Sequence, residues 1–405
     1  PRGAPGGGSR SPRGGGGGFC VPPGIRGAVG TAWARRPGHR PAPACPSRGC
    51  RRAAMAAAVV KAGWIRPLVL RLVLSPRATA ALARFQRVCG VREDGTPSNP
   101  LLHHFFHFAT NLGDEAFYAS IMPLCCWLGG YPLALEMICM FMLQLVAGQV
   151  VKEILQLPRP RDDRIAVLEH HYATEYGFPS THTMSGYLAF HFVALLSERH
   201  AASHPLLFPA ALLFALSIST SRLYLGVHSV ADVAGGVVLG WGVLQAWQGL
   251  RHAAVEALLH PTAGPGAVAA VVAAFLFLFP RPAAQWSSAP GTTAVILGVW
   301  TGVTLGCSLV RGLAPSTFAS VPGSLASTPA PVHVLRALVG YLGMLLAKVL
   351  VKALARRALG GPGGGAVDAQ GHVPYGVDVP TKLWSYGAVG AAAVGMPLLW
   401  PLLGL

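Results

Sequence analysis

The chain has 405 residues, of which 52% are hydrophobic and only 12% charged, and its mean hydropathy is +0.47. Ordinary soluble domains carry about 25% charged residues, so the composition argues against a soluble globular protein. Several apolar runs approach or exceed the roughly 20 residues that span a bilayer, which predicts an all-α, polytopic transmembrane helical bundle with the membrane bilayer as its main partner.

The net charge of +17 is concentrated at the N-terminus, because residues 1–54 carry ten arginines and no acidic residue. This stretch is rich in Gly, Pro, Ala and Arg and lacks the apolar residues of a core, so it is predicted to be a disordered leader. Three interpretations stay open: a transit peptide, a tail that binds nucleic acid or a membrane surface, or an over-extended gene prediction upstream of Met55. For the rest of the chain we expect no nucleic-acid partner.

Residues 55–110 mix Leu and Val with Arg and Lys, which favours an amphipathic helix at the membrane surface over an ordinary soluble helix. Residues 111–250 are predicted to form a catalytic transmembrane core, and residues 251–405 further transmembrane helices. The eight cysteines show no metal-binding or disulfide spacing. Nine apolar segments centre near residues 114–131, 133–155, 184–197, 206–221, 229–248, 266–280, 291–310, 332–351 and 384–404.

Three polar clusters lie at the ends of consecutive apolar segments. The first cluster lies at the end of the second apolar segment, and the second cluster lies at the start of the third segment. The third cluster spans the end of the fourth segment and the start of the fifth. Because the chain crosses the membrane within each of these segments, all three clusters are predicted to lie on one membrane face. They are Lys152 with Arg159-Pro160, Pro179-Ser180-Thr181-His182, and Ser221-Arg222 with His228 and Asp232.

The histidines and the aspartate are suited to proton transfer and nucleophilic attack. His228 and Asp232 are four residues apart, so on a helix they share a face, and the carboxylate would fix the tautomer of the imidazole. His182 is a second histidine that is free to act as an acid. A proton relay is the alternative interpretation of an ionisable pair inside an apolar segment.

Three cations are predicted to converge on the same place. Pro158 is expected to end the second helix, which leaves Arg159 just outside the bilayer near Lys152. With Arg222 these side chains suit an anion of distributed charge, since the planar guanidinium matches phosphate. Each cation alone would more simply be a residue that anchors a helix end, and Pro-Ser-Thr alone would be a helix cap. Together the clusters indicate a phosphoryl-transfer site without a metal ion.

The clusters resemble the signature of the type 2 phosphatidic acid phosphatase (PAP2) superfamily, which is shared with vanadium haloperoxidases. That signature is Lys-x6-Arg-Pro, then Pro-Ser-x-His, then Ser-Arg-x5-His-x3-Asp. Thr181 stands where many relatives have glycine, and "ARFQRVCGV", "EYGFPSTHTMSGY" and "HVPYGVDVPTKLWSYGAVG" are similar to the sphingosine-1-phosphate phosphatase branch. The resemblance covers roughly residues 80–405 and implies a PAP2/haloperoxidase-like helical core.

The resemblance also implies a role for each residue. His228 would attack phosphorus and form a phosphohistidine, Asp232 would orient it, and His182 would protonate the leaving alkoxide and then activate water. The residues alone do not say which histidine is the nucleophile, apart from the aspartate four residues after His228. The implied phosphate-binding set is Lys152, Arg159, Ser180, Thr181 and Arg222.

The implied function is hydrolysis of sphingosine or dihydrosphingosine 1-phosphate, without a cofactor or metal, by a multi-pass protein of the endoplasmic reticulum membrane. A phosphatase of another lipid, polyprenyl or sugar phosphate, and a non-enzymatic transporter, are the alternatives. The resemblance implies a lumenal active site, whereas the distribution of Lys and Arg would place that face in the cytosol. The sequence leaves the oligomeric state open.

Overall fold

The computed structural model describes residues 63, 65–169, 175–199, 205–280, 286–319, 328–360, 367 and 372–404, so the predicted leader lies outside the described residues. Apart from one β-bridge between Val91 and Pro97, the regular structure of the described residues is helical. The helices are α1 Ile65–Val73, α2 Pro76–Val88, α3 Pro100–Asn111, α4 Glu115–Gly129, α5 Tyr131–Leu155, α6 Thr181–Ser185, α7 Tyr187–Arg199, α8 Leu207–Tyr224, α9 Val230–Leu259, α10 Ala263–Leu278, α11 Ala289–Leu313, α12 Pro315–Ala319, α13 Ala330–Gly360 and α14 Tyr375–Leu399.

Five helices of the described chain, α5, α8, α9, α11 and α13, are long and apolar enough to cross a membrane. This confirms the predicted all-α, multi-pass class. Three predicted apolar segments form the shorter helices α4, α7 and α10, of 15, 13 and 16 residues, and α7 directly follows α6 and Gly186. The number of crossings beyond the five therefore stays a prediction.

Helix α5 lies at the centre of the bundle, and α13 lies at its outside. Of the most apolar window of α5, 72% is buried among α4, α9 and α11, whereas only 11% of the corresponding window of α13 is buried. The leucines of α13 face outward, which would be unfavourable in water and is typical of a surface that contacts lipid.

Helix α5 ends at Leu155, which is also the end of the second predicted apolar segment and lies before Pro158. It ends there because Gln156 adopts a left-handed conformation (φ 50°) and its N–H donates to the carbonyl of Lys152 at 2.8 Å. Lys152 therefore lies in the last helical turn. The chain then runs extended past the prolines, and Gly177 returns to it by an N–H bond to the Leu157 carbonyl at 2.8 Å.

Helix α9 begins at Val230, two residues later than the shared-face argument requires. Ser229 is its N-cap, in a capping box with Asp232, so His228 precedes the helix and the two residues do not share a helical face. The cap nevertheless brings them together, because the Asp232 carboxylate turns back to accept the N–H of Ser229 at 2.7 Å. The prediction of a His–Asp contact holds, but its physical reason was wrong.

The N-terminal helices α1 to α3 pack against the loops that carry the polar clusters. The side-chain amide of Gln86 on α2 donates to the carbonyls of Ala166 at 2.7 Å and Tyr224 at 2.9 Å. Gly226 fits there because its φ of +69° is left-handed and a Cβ would lie 2.2 Å from the Ala166 carbonyl oxygen. Placement of this region at the membrane surface stays a prediction.

Candidate active site

The three polar clusters come together around one polar cavity of about 1030 Å³, including its open mouth. Five of the eight predicted site residues line it, and the other three are completely buried behind its wall. The lining residues are Lys152, Arg159, Thr181, His182 and His228, and the buried ones are Ser180, Arg222 and Asp232.

His228 is held between a cation and a carboxylate. A guanidinium nitrogen of Arg159 lies 3.1 Å from its Nε2, and the Asp232 carboxylate lies 3.6 Å from its Nδ1. Arginine has no acceptor, so Nε2 must be the unprotonated nitrogen and Nδ1 carries the hydrogen that faces Asp232. In this tautomer the Nε2 lone pair accepts a hydrogen bond from Arg159, and both side chains line the cavity.

The environment also keeps His228 uncharged. Burial, followed by the positive charges of Arg159, Arg222 and Lys152, holds the pKa of His228 well below its usual value of 6.5. The imidazole is therefore neutral at pH 7, which is the form that can attack an electrophile.

Lys152 and Arg159 meet at a carboxylate that was not predicted from the sequence. Glu175 places one oxygen 3.4 Å from the Lys152 ammonium and 3.7 Å from the Arg159 guanidinium. Burial alone would raise the pKa of Glu175, but these two cations outweigh it and lower the pKa, so Glu175 is ionised. Two of the cations that were predicted to bind phosphate are thus paired with the Glu175 carboxylate.

Arg222 is paired with a different acid. Its guanidinium donates to Glu169 at 3.0 Å and to the hydroxyl of Thr110, and its side chain is completely buried. It does not reach the cavity wall, but its charge is close enough to lower the pKa of His182 and His228. Its predicted role as a direct phosphate ligand is untested.

His182 lies on the opposite wall of the cavity, where α6 begins. Its Nε2 is 3.9 Å from the Asp114 carboxylate, and Gly113 packs so closely that a Cβ there would lie 3.1 Å from the ring. Burial and then Arg222, Lys152 and Arg159 lower the pKa of His182 well below 6.5. Both histidines of the empty site are therefore neutral at pH 7.

The Ser-Thr pair serves the local fold as well as the cavity. Ser180 is the N-cap of α6, and its hydroxyl accepts hydrogen bonds from the N–H of Thr183 at 3.4 Å and its hydroxyl at 3.1 Å. Thr181 instead points to the cavity, where its hydroxyl accepts from Lys152 at 3.3 Å. The capping interpretation of Ser180 is thus realised, and phosphate binding by Ser180 and Thr181 stays a prediction.

Several polar cavity residues were missed by the sequence analysis. Glu175 opens the quoted stretch "EYGFPSTHTMSGY", yet nothing in the sequence relates it to Lys152. Asp114 and Glu115 lie at the start of α4, outside the three clusters, and Gln149 lies one turn before Lys152. Of these residues only Gln149 could have been found from the sequence, because it lies three residues before Lys152 and residues three apart on a helix are neighbours.

Metal ligands are not gathered in this cavity. In the part of the chain that the structure describes, no group of three or more His, Cys, Asp and Glu side chains is arranged to hold a metal ion. The positive charge around the cavity comes from Lys152, Arg159 and the buried Arg222. The arrangement offers an imidazole nucleophile, a second imidazole for proton transfer and cations for an anionic group.

Comparison with known proteins agrees with this arrangement. The PAP2 superfamily profile matches residues 133–254, which include both histidines and all three cations. Mouse sphingosine-1-phosphate phosphatase 2 is 30% identical over 358 residues, which cover 82% of this chain and 99% of the mouse protein. A dihydrosphingosine 1-phosphate phosphatase of Schizosaccharomyces pombe is 31% identical over 149 residues, 35% of this chain and 36% of the yeast protein.

Among solved structures, the transmembrane PAP2-type phosphatidylglycerolphosphate phosphatase of Bacillus subtilis aligns with a TM-score of 0.37 and 22% identity, covering 48% of this chain and 96% of the bacterial one. The family relationship rests on the sequence matches, in particular on the relative whose whole length is covered. The protein is accordingly a phosphoric monoester hydrolase of the membrane. The chain belongs to the sphingosine-1-phosphate phosphatase branch of the PAP2 superfamily.

Proposed function

We propose that the protein hydrolyses sphingosine and dihydrosphingosine 1-phosphate to the free base and inorganic phosphate, through a phosphohistidine at His228. The observation that carries this proposal is the tautomer of His228, with its Nε2 lone pair beside Arg159 and its Nδ1–H toward Asp232. The names of the relatives support the substrate class.

In the first step, Nε2 of His228 attacks phosphorus and the bond from phosphorus to the lipid oxygen breaks. The imidazole becomes positively charged, and the buried Asp232 carboxylate stabilises that charge. Lys152 and Arg159 neutralise the charge of the phosphoryl oxygens, because they face the same cavity.

His182 donates a proton to the departing alkoxide. In the empty site its pKa is low because of burial and the cations. A bound phosphate dianion opposes those positive charges, so substrate binding raises the pKa of His182 and favours the protonated form. Asp114, 3.9 Å away, adds a further negative charge on the same side.

In the second step, a water molecule attacks the phosphohistidine and His182 accepts its proton. Phosphate is then released and His228 returns to its neutral form. The alkoxide and the water occupy the same side of the phosphoryl group in turn, so one imidazole serves both proton transfers.

The test compares two single variants on two substrates. His228→Ala is expected to abolish turnover and the acid-labile phosphoenzyme on both a sphingoid base phosphate and an activated aryl phosphate. In His182→Ala the turnover rate is expected to fall by about 10²–10⁴-fold with the lipid substrate. It should fall far less with the aryl phosphate, whose leaving group needs no proton. Phosphate release and rapid-quench labelling measure the two effects.

Two results would contradict the proposal. An equal loss on both substrates in His182→Ala would remove the acid role from that residue. Covalent phosphate that persists in His228→Ala would assign the nucleophile to another side chain. Glu256→Gln, in an exposed ion pair with Arg311, is the control for expression and folding.

We also propose residence in the endoplasmic reticulum membrane, with the active site facing the lumen. Microscopy of a tagged protein tests the compartment. To test which membrane face carries the active site, a cysteine is introduced at Asp94, in the exposed turn that follows α2. Its modification by a membrane-impermeant thiol reagent is then measured before and after permeabilisation. Reactivity in the sealed, cytosol-exposed preparation would place the site in the cytosol.

A further inference from the structure

An apolar cavity adjoins the polar active-site cavity. Its volume is about 910 Å³, which includes the space at its open mouth. The two cavities share Asp114, Glu115 and Phe141 in their walls. Most of the apolar wall comes from α4, α11 and α14, which lie outside the residues that match the PAP2 profile.

The Glu115 carboxylate stands at the junction of these cavities without a counter-ion. Within the described part of the chain it forms no ion pair or hydrogen bond, and the apolar cavity wall contains no lysine or arginine. Lys382, the nearby cation on α14, is paired with Asp378 at 2.9 Å. Asp114 and Glu175 place further negative charge beside Glu115, so a cationic group bound at this junction would be attracted by several carboxyl groups and would favour the ionised form of Glu115.

Gln149 supplies an independent indication of a ligand. Only 2% of its surface is exposed, although it lines the polar cavity. Its Oε1 has no hydrogen-bond partner. Buried amide oxygens are nearly always hydrogen-bonded, so an orphaned acceptor in a cavity wall points to a donor on the bound molecule.

We propose, on the basis of the proposed function, that these features form the recognition site for the lipid part of a long-chain base phosphate. The phosphate lies among Lys152 and Arg159, the ammonium on the neighbouring carbon pairs with Glu115, and the hydroxyl beyond it donates to Gln149. The hydrocarbon chain extends into the apolar cavity. The phosphate, the ammonium and the chain thus follow the order of the cavities, from cationic through Glu115 at the junction to apolar, and the hydroxyl turns back toward Gln149 in the polar cavity.

This site would discriminate against lipid phosphates that lack an amine. A lipid phosphate without an amine would place an uncharged group, such as an ester, beside Glu115. The carboxylate would then be buried without a counter-ion, and this cost in binding free energy would be specific to the substrate that lacks the amine. Because Glu115 is not part of the PAP2 signature, the preference for a base would come from the added helices and not from the chemistry of the core.

The experiment compares the sphingoid base phosphate with its N-acetyl derivative and with an alkyl phosphate of equal chain length. The wild type is expected to favour the free amine. In Glu115→Gln the ratio of kcat/KM between the amine and the alkyl phosphate should fall by about 10–100-fold, because a charge-assisted contact is lost. Glu93→Gln, an exposed carboxylate remote from the cavities, is the matched control and should keep the ratio.

Two further variants test the remaining contacts. Gln149→Leu should lower kcat/KM for the hydroxylated base by more than for its 3-deoxy analogue. Val299→Trp, on α11 in the apolar wall, should shift the preference toward short-chain bases. These two variants decide the proposal if Glu115→Gln fails to fold, as judged by its thermal unfolding.

The outcomes separate the two levels of inference. No phosphate release from any of the lipids by the wild type overturns the proposed function and this site with it. Release from the amine and the alkyl phosphate with equal kcat/KM overturns the recognition site alone. An equal loss on both substrates in Glu115→Gln, together with an unchanged chain-length preference in Val299→Trp, would also overturn it.

Discussion

Glu175 places a negative charge beside the two cations that we propose bind the substrate's phosphate, and replacing it tests that proposal. Its carboxylate is 3.4 Å from Lys152 and 3.7 Å from Arg159, and its other oxygen accepts from Ser288. A phosphate that binds the same cations must therefore compete with this carboxylate. We expect Glu175→Gln to bind phosphate and vanadate more tightly while being less stable when empty.

The magnitude follows from charge and distance. Two unit charges about 6 Å apart interact by about 3 kcal/mol at an effective dielectric constant of about 20, and access of water and salt reduces this value. Removing the negative charge of Glu175 should thus favour anion binding by about 1–2 kcal/mol, or about 10-fold. Breaking a buried ion pair costs about 3–5 kcal/mol, so the empty variant should unfold at a lower temperature.

The assay measures vanadate inhibition and the thermal midpoint with and without vanadate, using purified protein in detergent. Vanadate should raise the midpoint of Glu175→Gln more than that of the wild type. Glu256→Gln, which removes the acid of an exposed pair with Arg311, should change neither quantity appreciably. Weaker vanadate binding in Glu175→Gln would refute the reasoning, since Glu175 would then hold the cations in position instead of competing for them.

Three further predictions concern the chemistry. Asp232→Asn should retain substrate binding but lower kcat by about 10²–10⁴-fold in steady-state assays, because the negative charge 3.6 Å from Nδ1, which would stabilise the positively charged imidazole, is lost; an unchanged kcat would contradict the role proposed for Asp232. Arg159→Gln should move the acid limb of kcat/KM to higher pH, because removal of one cation raises the depressed pKa of His228 and protonation then inactivates it sooner as pH falls; an unmoved limb would show that Arg159 does not control that titration. Phosphate release should survive EDTA, because Lys152 and Arg159 supply the positive charge, and restoration by added magnesium after a loss would argue for a metal site.

The grouping of the polar clusters around one cavity was predictable from the sequence. Short spacings bring residues together within each cluster, and the alternating direction of the membrane helices brings the clusters to one face. Lys152 and Arg159 lie on either side of one helix end, and His228 and Asp232 flank the N-cap Ser229, so local geometry brings each pair together. The requirement that helices cross the bilayer then places the clusters on one face. The error about the helix carrying His228 changed nothing, since a capping box also joins residues close in sequence.

The charge balance of the site was not predictable in the same way. Glu175 and Glu169 reach their cations from a loop, and their partners lie 23 and 53 residues away in the chain. No helical or strand period relates such residues. Glu136 shows the same limit, because its pairing with Arg251 at 2.9 Å joins helices α5 and α9 across 115 residues.

The proposed catalytic residues and the proposed lipid site come from different parts of the chain. The histidines and cations lie within the PAP2 match at residues 133–254. The apolar wall comes mainly from helices before and after it, α4, α11 and α14. Substitutions in that wall should therefore alter which lipid is hydrolysed while leaving the reaction of His228 intact.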